Sequence, residues 1–147
     1  MGGLSFYVDS CIYLNWWKKE LGSIFKKPFW KTARKFFEKV EQNKGKVYYS
    51  GFILKELYYK LTKEEFIKKK NFIESSPNYF RITLNQNEYE YARKIERKLN
   101  FAISFYDIIH MTLTKKTNSI LITRDKELLK SAKKFGVIAR KPEEIIH

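Results

Sequence analysis

Phe6-Tyr7-Val8-Asp9-Ser10 is the stretch from which the fold of this chain is read. Together with Leu4 it is a short apolar, aromatic and β-branched run, with the length and residue types of a buried strand. The run ends on Asp9. Ser10 follows, and Tyr13, Leu14, Trp17 and Leu21 then recur at helical spacing. An acid therefore stands where a strand hands over to a helix. In open parallel sheets, ligands bind at that end of the strands. The question for the rest of the chain is which other carboxylates join Asp9 there.

Beyond the first strand and helix, Pro28 opens a second helical pattern, since proline suits a first turn. Phe29, Ala33, Phe36, Phe37 and Val40 form its apolar stripe, flanked by Lys27, Lys31, Arg34, Lys35 and Lys39. Gly45 breaks that pattern and Val47-Tyr48-Tyr49 reads as a second strand. Ser50 caps a helix whose stripe is Ile53, Leu54, Leu57, Tyr58 and Leu61, with Glu56 on its flank. Thr62 and Glu65 make a capping box for a further helix facing inward through Phe66, Ile67 and Ile73. Ser75-Ser76-Pro77-Asn78 is a turn. From Tyr79 to Leu84 a third strand is expected, with Phe80, Ile82 and Leu84 alternating against Arg81 and Thr83.

Asn87 with Glu90 is the expected opening of a charged helix that buries Ala92, Ile95 and Leu99. Ser104 and Asp107 have capping-box spacing at the start of the next, whose inner face is Ile108, Met111 and Thr112. Ile120-Leu121-Ile122-Thr123 is the clearest buried strand. Asp125 then starts a helix carrying Leu128, Leu129 and Ala132, which Gly136 ends. Val137-Ile138-Ala139 is a last short strand, and Pro142-Glu143-Glu144 a terminal helical turn. Strands alternating with helices predict an α/β fold with a mostly parallel central sheet. Right-handed crossovers put helices on both of its faces.

With 147 residues, 44% hydrophobic and 17% aromatic, residues 1–147 are expected to form one domain with a real core. No run approaches the ~20 apolar residues of a membrane span. The N-terminus has neither the basic region nor the apolar stretch of a signal peptide. Phe6 stands where a myristoylation motif after Met1-Gly2 needs Ser or Thr. The single cysteine, Cys11, excludes an internal disulfide framework and fits a reducing, cytoplasmic compartment. Its expected role is that of a small buried apolar residue rather than a catalytic thiol. A net charge of +14 favours a polyanionic partner, nucleic acid before membrane surface.

Four acids stand out by position: Asp9 and Asp125 after strands, Asp107 in a first helical turn, and Glu56 beside an apolar helix face. Each has an ordinary explanation. Asp9 and Asp125 serve as helix caps worth ~1 kcal/mol each, Asp107 as the partner in a capping box, and Glu56 as a solvated acid. Together they mean something else. Several carboxylates in one cleft repel, desolvation worsens the conflict, and a divalent cation resolves it. Oxygen ligands suit Mg²⁺ or Mn²⁺ rather than zinc. His110, one turn after Asp107, is for such a cation more readily a structural or rim histidine than a ligand.

Phe6-Tyr7-Val8-Asp9-Ser10, Ser50 followed by Glu56, Asp107-Ile108-Ile109-His110, and Leu121-Ile122-Thr123-Arg124-Asp125, in this order, resemble the PIN-domain nucleases. Size and layout are most similar to VapC toxins of toxin–antitoxin pairs. Ile108-Ile109 departs from the smaller residues many relatives have there, and the basic helix near Pro28 is longer than in a minimal member. The resemblance implies a PIN-like fold and metal-dependent hydrolysis of RNA phosphodiesters. It makes Asp9, Glu56, Asp107 and Asp125 the catalytic acids, with Thr123 and Ser10 behind them. Asp9 and Asp107 would bind Mg²⁺ or Mn²⁺ directly, and Asp125 directly or through water. Lys31, Arg34 and Lys35 would hold the RNA backbone.

The implied partners are RNA, a cognate antitoxin and a second copy of the chain, with no membrane. Trp16, Trp17 and Trp30 are expected in core packing, the alternative being a dimer or antitoxin surface. Two phosphotransfer classes fit less well. Haloacid-dehalogenase-like phosphatases want a second Asp where Cys11 stands, and receiver domains want paired acids where Ser10 follows Asp9. The rival of a different class is a noncatalytic RNA-binding or assembly protein on the same fold.

Overall fold

The computed structural model describes residues 3–19 and 28–146, so Met1, Gly2, Leu21 and Lys27 lie outside the described residues. The elements in order are β1 (Ser5–Val8), α1 (Ser10–Lys18), α2 (Phe29–Gln42), β2 (Lys46–Tyr49), α3 (Gly51–Lys60) and α4 (Lys63–Ser75). There follow β3 (Tyr79–Arg81), α5 (Gln86–Lys98), α6 (Phe105–Lys116), β4 (Ile120–Ile122), α7 (Lys126–Lys134), β5 (Ala139–Arg140) and a 3-10 turn at Pro142–Glu144.

The strands form one sheet of order β3-β2-β1-β4-β5, and every pairing is parallel. β1 is central. Phe6, Tyr7 and Val8 are fully buried, as expected for a strand with neighbours on both edges and helices on both faces. The Phe6 ring meets Phe36 of α2 edge-on at 5.3 Å, whereas Tyr7 lies 5.4 Å from the ring of His110 on α6. Successive strand residues point to opposite faces, so α2 and α6 cover opposite sides of the sheet. This is the expected α/β architecture, a parallel central sheet with helices on both faces.

Strand order sets where a ligand can bind. From β1 the chain steps outward to β2 and β3 on one side, and β4 and β5 are added on the other. The order therefore reverses at β1 and β4, and the crevice of an open parallel sheet opens outside the carboxyl ends of such a pair. Val8 pairs with Ile122 at this edge. Asp9 and Thr123 are the next residue of each strand.

Local signals decide most boundaries. Ser50 Oγ accepts the Ile53 N–H at 3.3 Å and caps α3. Thr62 and Glu65 form a reciprocal capping box on α4. Gly136, at φ +69°, ends α7 in the left-handed conformation that glycine tolerates. The cap of α5 is Asn85 with Glu88, bonded reciprocally at 2.8 and 2.9 Å, and not Asn87 with Glu90. The Asn-x-x-Glu spacing occurs twice in overlap, and the earlier copy gives the longer helix.

Other departures lie at the periphery. Tyr58 and Ile67 are 54% and 50% exposed, because α3 and α4 bury only one narrow face each. β3 pairs with β2 alone and stops at Arg81, leaving Phe80 41% exposed. β5 is Ala139–Arg140, later than the apolar run beginning at Val137. Trp16 and Trp17 pack against the core, Trp16 stacked on Phe37 at 4.5 Å. Trp30 instead carries Lys19, Lys31 and Arg34 over its ring at 5.2–5.7 Å.

Candidate active site

Asp9 occupies the N-cap position of α1 with extended backbone, yet its side chain makes no capping hydrogen bond. The residue is only 7% exposed. The Thr123 hydroxyl donates to Asp9 Oδ2 at 2.7 Å, and the same hydroxyl oxygen accepts the Asp125 N–H at 3.1 Å. Thr123 thus ties the end of β1 to the start of α7. A hydrogen bond to an ionised group contributes ~1.5–3 kcal/mol. The Cys11 thiol also approaches Oδ2, at 3.3 Å. Asp9 Oδ1 has only a long 3.5 Å approach from the Ser10 hydroxyl among the described residues, which leaves it available to a ligand.

Asp125 is exposed, and its Oδ1 accepts the Glu127 and Leu128 N–H groups at 2.9 and 3.2 Å. It caps α7, and its Oδ2 takes no hydrogen bond among the described residues. Asp107 stands in the first turn of α6, where its own N–H bonds Ser104 Oγ at 3.1 Å, the one-sided half of a capping box. The Asp107 carboxyl is pushed up to about 6, first by burial and then by the charges of Asp125 and Asp9, with His110 opposing. The charges of Asp125 and Asp9 are thus felt at Asp107.

Glu56 and His110 complete the cluster through a buried chain of hydrogen bonds. Ser50 Oγ lies 2.8 Å from the Tyr7 hydroxyl, which lies 2.7 Å from His110 Nδ1. His110 Nε2 lies 2.9 Å from Glu56 Oε1. In the neutral ring, Nε2–H donates to Glu56, Nδ1 accepts from Tyr7, and Tyr7 accepts from Ser50. In the charged ring the donors along Tyr7 and Ser50 reverse. Burial opposes charge on His110, but Glu56, Asp9 and Asp107 outweigh it and hold the imidazole above its ordinary value. His110 is fully buried, so it is structural and not on a rim.

Asp9, Glu56 and His110 each bring a ligand-type atom within 4.8 Å of the others. Both His110 nitrogens already have partners, so oxygen atoms are the donors left for an ion. Two carboxylates brought this close, with the Asp107 carboxyl raised by burial nearby, are what a hard divalent cation relieves. The residues present fit Mg²⁺ or Mn²⁺.

Sequence reasoning missed Tyr7, whose ring reads as core and whose hydroxyl links Ser50 to His110. The available signal was a buried tyrosine, since such a hydroxyl finds a partner. Cys11 is no nucleophile: burial first, then the Asp9 charge, push its thiol far up. Lys31, Arg34 and Lys35 are exposed on α2, with Arg34 3.7 Å from Glu38. The start of α2 reaches the site's edge, where Arg124 lies 4.0 Å over the Phe29 ring. Arg124 itself is held by Glu143 and Asn15.

Solved structures with the same fold cover nearly the whole chain. VapBC2 from Rickettsia felis, solved on a DNA fragment from its promoter, matches with a TM-score of 0.64 at 16% identity, over 94% of this chain and 98% of that one. VapBC-1 from nontypeable Haemophilus influenzae gives 0.62 at 14% identity, over 95% and 99%. FitAcB from Neisseria gonorrhoeae gives 0.60 at 14% identity, over 95% and 99%. No curated protein matches the sequence. At these identities the structures speak for the fold alone. The model of the PIN domain, however, matches residues 6–134, from the strand that ends in Asp9 through the helix that Asp125 caps, and the chain belongs to the PIN-domain family.

Proposed function

We propose that this protein is a Mg²⁺- or Mn²⁺-dependent endoribonuclease and the toxin of a VapBC-type pair. The observation that supports the reading is the approach of Asp9, Glu56 and His110, whose ligand-type atoms lie within 4.8 Å of one another, beside an Asp107 carboxyl pushed up to about 6, first by burial. Asp9 and Glu56 come from distant parts of the sequence, and a capping hydrogen bond is made by the Asp125 side chain but not by that of Asp9. The toxin reading is supported by likeness to the VapBC proteins of Rickettsia felis and Haemophilus influenzae, and it adds a cognate antitoxin and a second copy of the chain as partners.

Asp9 and Asp107 would hold the cation directly, and Asp125 directly or through water. When bound, the cation lowers the pKa of a water and offsets charge on the non-bridging phosphate oxygens. Thr123 and Ser10 orient the Asp9 carboxylate. Glu56, with Oε1 fixed on His110, keeps Oε2 to orient the attacking water. The cationic surface, including Lys31, Arg34 and Lys35, holds the RNA backbone by charge.

The test is incubation of the purified protein with mixed cellular RNA in Mg²⁺, in Mn²⁺ and in EDTA, with the cut ends mapped. Cleavage only with metal is expected. RNA binding that leaves the RNA intact in all three would replace the nuclease by the noncatalytic RNA-binding reading.

A further inference from the structure

Next to the carboxylates lies a cavity of about 590 Å³ between the α5–α6 connection and α7, and Asp107 lines it. That volume lies in the range of small-molecule sites. Leu99, Ile103 and Phe135 give it an apolar floor. Lys130 and Lys134 line its other wall. They stand one turn apart on α7, on the same side of the helix. Both are exposed, and neither has an ion-pair partner among the described residues. Glu127 is the other acid of the lining.

The connection that forms the near wall is strained. Asn100 and Phe101 both adopt left-handed backbone, at φ +51° and +59°. For a bulky residue such as phenylalanine this conformation is an outlier. Hydrogen bonds hold it, Phe101 N–H to Glu96 O at 2.9 Å and Ala102 N–H to Leu99 O at 3.0 Å. The result is a phenylalanine 66% exposed, next in the chain to Ala102 of the cavity lining. Strain that leaves an apolar ring in water is a reason to look for a ligand.

We infer that this cavity is a nucleotide subsite, which takes the residue of a single-stranded RNA next to the phosphate held at Asp107. The inference rests on the nuclease reading above. An apolar floor and an exposed aromatic ring offer stacking to a base, and two unpaired lysines offer charge to its phosphates. That is the combination by which single strands are held. Asp107 lines the cavity and stands one turn before His110 of the Asp9–Glu56–His110 cluster on α6, so a strand cut at the cluster continues into the cavity. The basic face of α2 then touches the strand on a different side of the site.

The test uses the full chain and a labelled eight-nucleotide single-stranded RNA, with binding measured in EDTA over a range of salt and cleavage measured in Mg²⁺. Lys130→Ala/Lys134→Ala is expected to weaken binding about tenfold or more. It is also expected to flatten the salt dependence by about 1.4 in slope, two phosphate contacts on a single strand. The thermal gain on adding Mg²⁺ should be unchanged. Phe101→Gly suits the positive φ, so melting should stay level or rise while binding weakens by on the order of tenfold through lost stacking. If the parent cleaves RNA and both variants bind it with the parent's affinity and salt slope, the subsite is wrong and the nuclease reading stands. A parent that neither binds nor cleaves RNA removes both.

Discussion

Asp9 and Asp125 stand in the same local position and have different roles. Each follows a strand of the same parallel pair, β1 or β4, and each is the N-cap residue of the next helix with extended backbone. Asp125 gives Oδ1 to two helix N–H groups. Asp9 gives none, is buried, and takes its bond from the Thr123 hydroxyl of the neighbouring strand. A capping aspartate satisfies backbone donors that would otherwise be orphaned. A buried aspartate that leaves those donors alone is held for another purpose. On the proposed reading, the difference separates an acid given wholly to the site from one shared with helix stability.

The largest effect should come from Asp9→Asn. Changing the groups behind metal ligands costs 10–100-fold in affinity or activity, so loss of a direct carboxylate should lower RNA cleavage by more than about 100-fold. Because Asp9 makes no cap bond, melting in EDTA should stay level or rise as repulsion with Asp107 is relieved. The stabilisation that Mg²⁺ gives the parent by binding only the folded state should shrink. Full cleavage with a full Mg²⁺ gain would make Asp9 a bystander and erase the contrast with Asp125.

Thr123→Val keeps the shape and removes the hydroxyl that joins the two strand ends. It loses the donor to Asp9 Oδ2 and the acceptor for the Asp125 N–H. The expected cost is about 1–3 kcal/mol in denaturant unfolding, because buried groups lose a partner. Cleavage should fall ~10–100-fold. A variant that loses stability but keeps its turnover would reduce Thr123 to a structural clamp between β1 and α7.

The same contrast shows what was legible in the sequence. β1 and β4 read as buried strands because they are central and apolar throughout, and their order in an alternating α/β chain led to the PIN-like fold. Edge elements read less well. Phe80, Tyr58 and Ile67 fit a periodic stripe, but they sit on a strand with one neighbour or helices that bury one narrow face, and periodicity carries no information about what covers a face. Among the acids, sequence gave the positions of Asp9 and Asp125 but not their difference, since both satisfy the cap pattern. That difference comes from Thr123, which is distant from Asp9 in sequence. The Ser50–Tyr7–His110–Glu56 chain was hidden for the same reason. It joins β1, α3, α6 and the β2–α3 junction, and none of its members carries a local motif for it.

The smallest effect is the most discriminating, because it measures Asp125 in both of its roles. Asp125→Asn keeps a good cap, since Asn and Asp cap about equally, whereas Asp125→Ala should cost about 0.5–2 kcal/mol. Both remove the charge that helps raise Asp107. In the parent the folded Asp107 carboxyl titrates near 6 instead of its usual 3.8. A raised carboxyl means that ionisation opposes folding. That cost is absent below the usual value and complete above about 6, so apo stability should rise on acidification from pH 7 to 5. His110 acts in the same sense: its raised value adds stability at low pH that is lost as pH rises through its folded value. Melting alone therefore cannot separate them, and Asp107 should be followed by its own carboxyl ¹³C shift in EDTA. The midpoint should move down in both variants, by similar amounts, while only the Ala variant loses cap stability. If the Asp107 midpoint stays put in both, Asp125 does not act on Asp107 and is a helix cap alone.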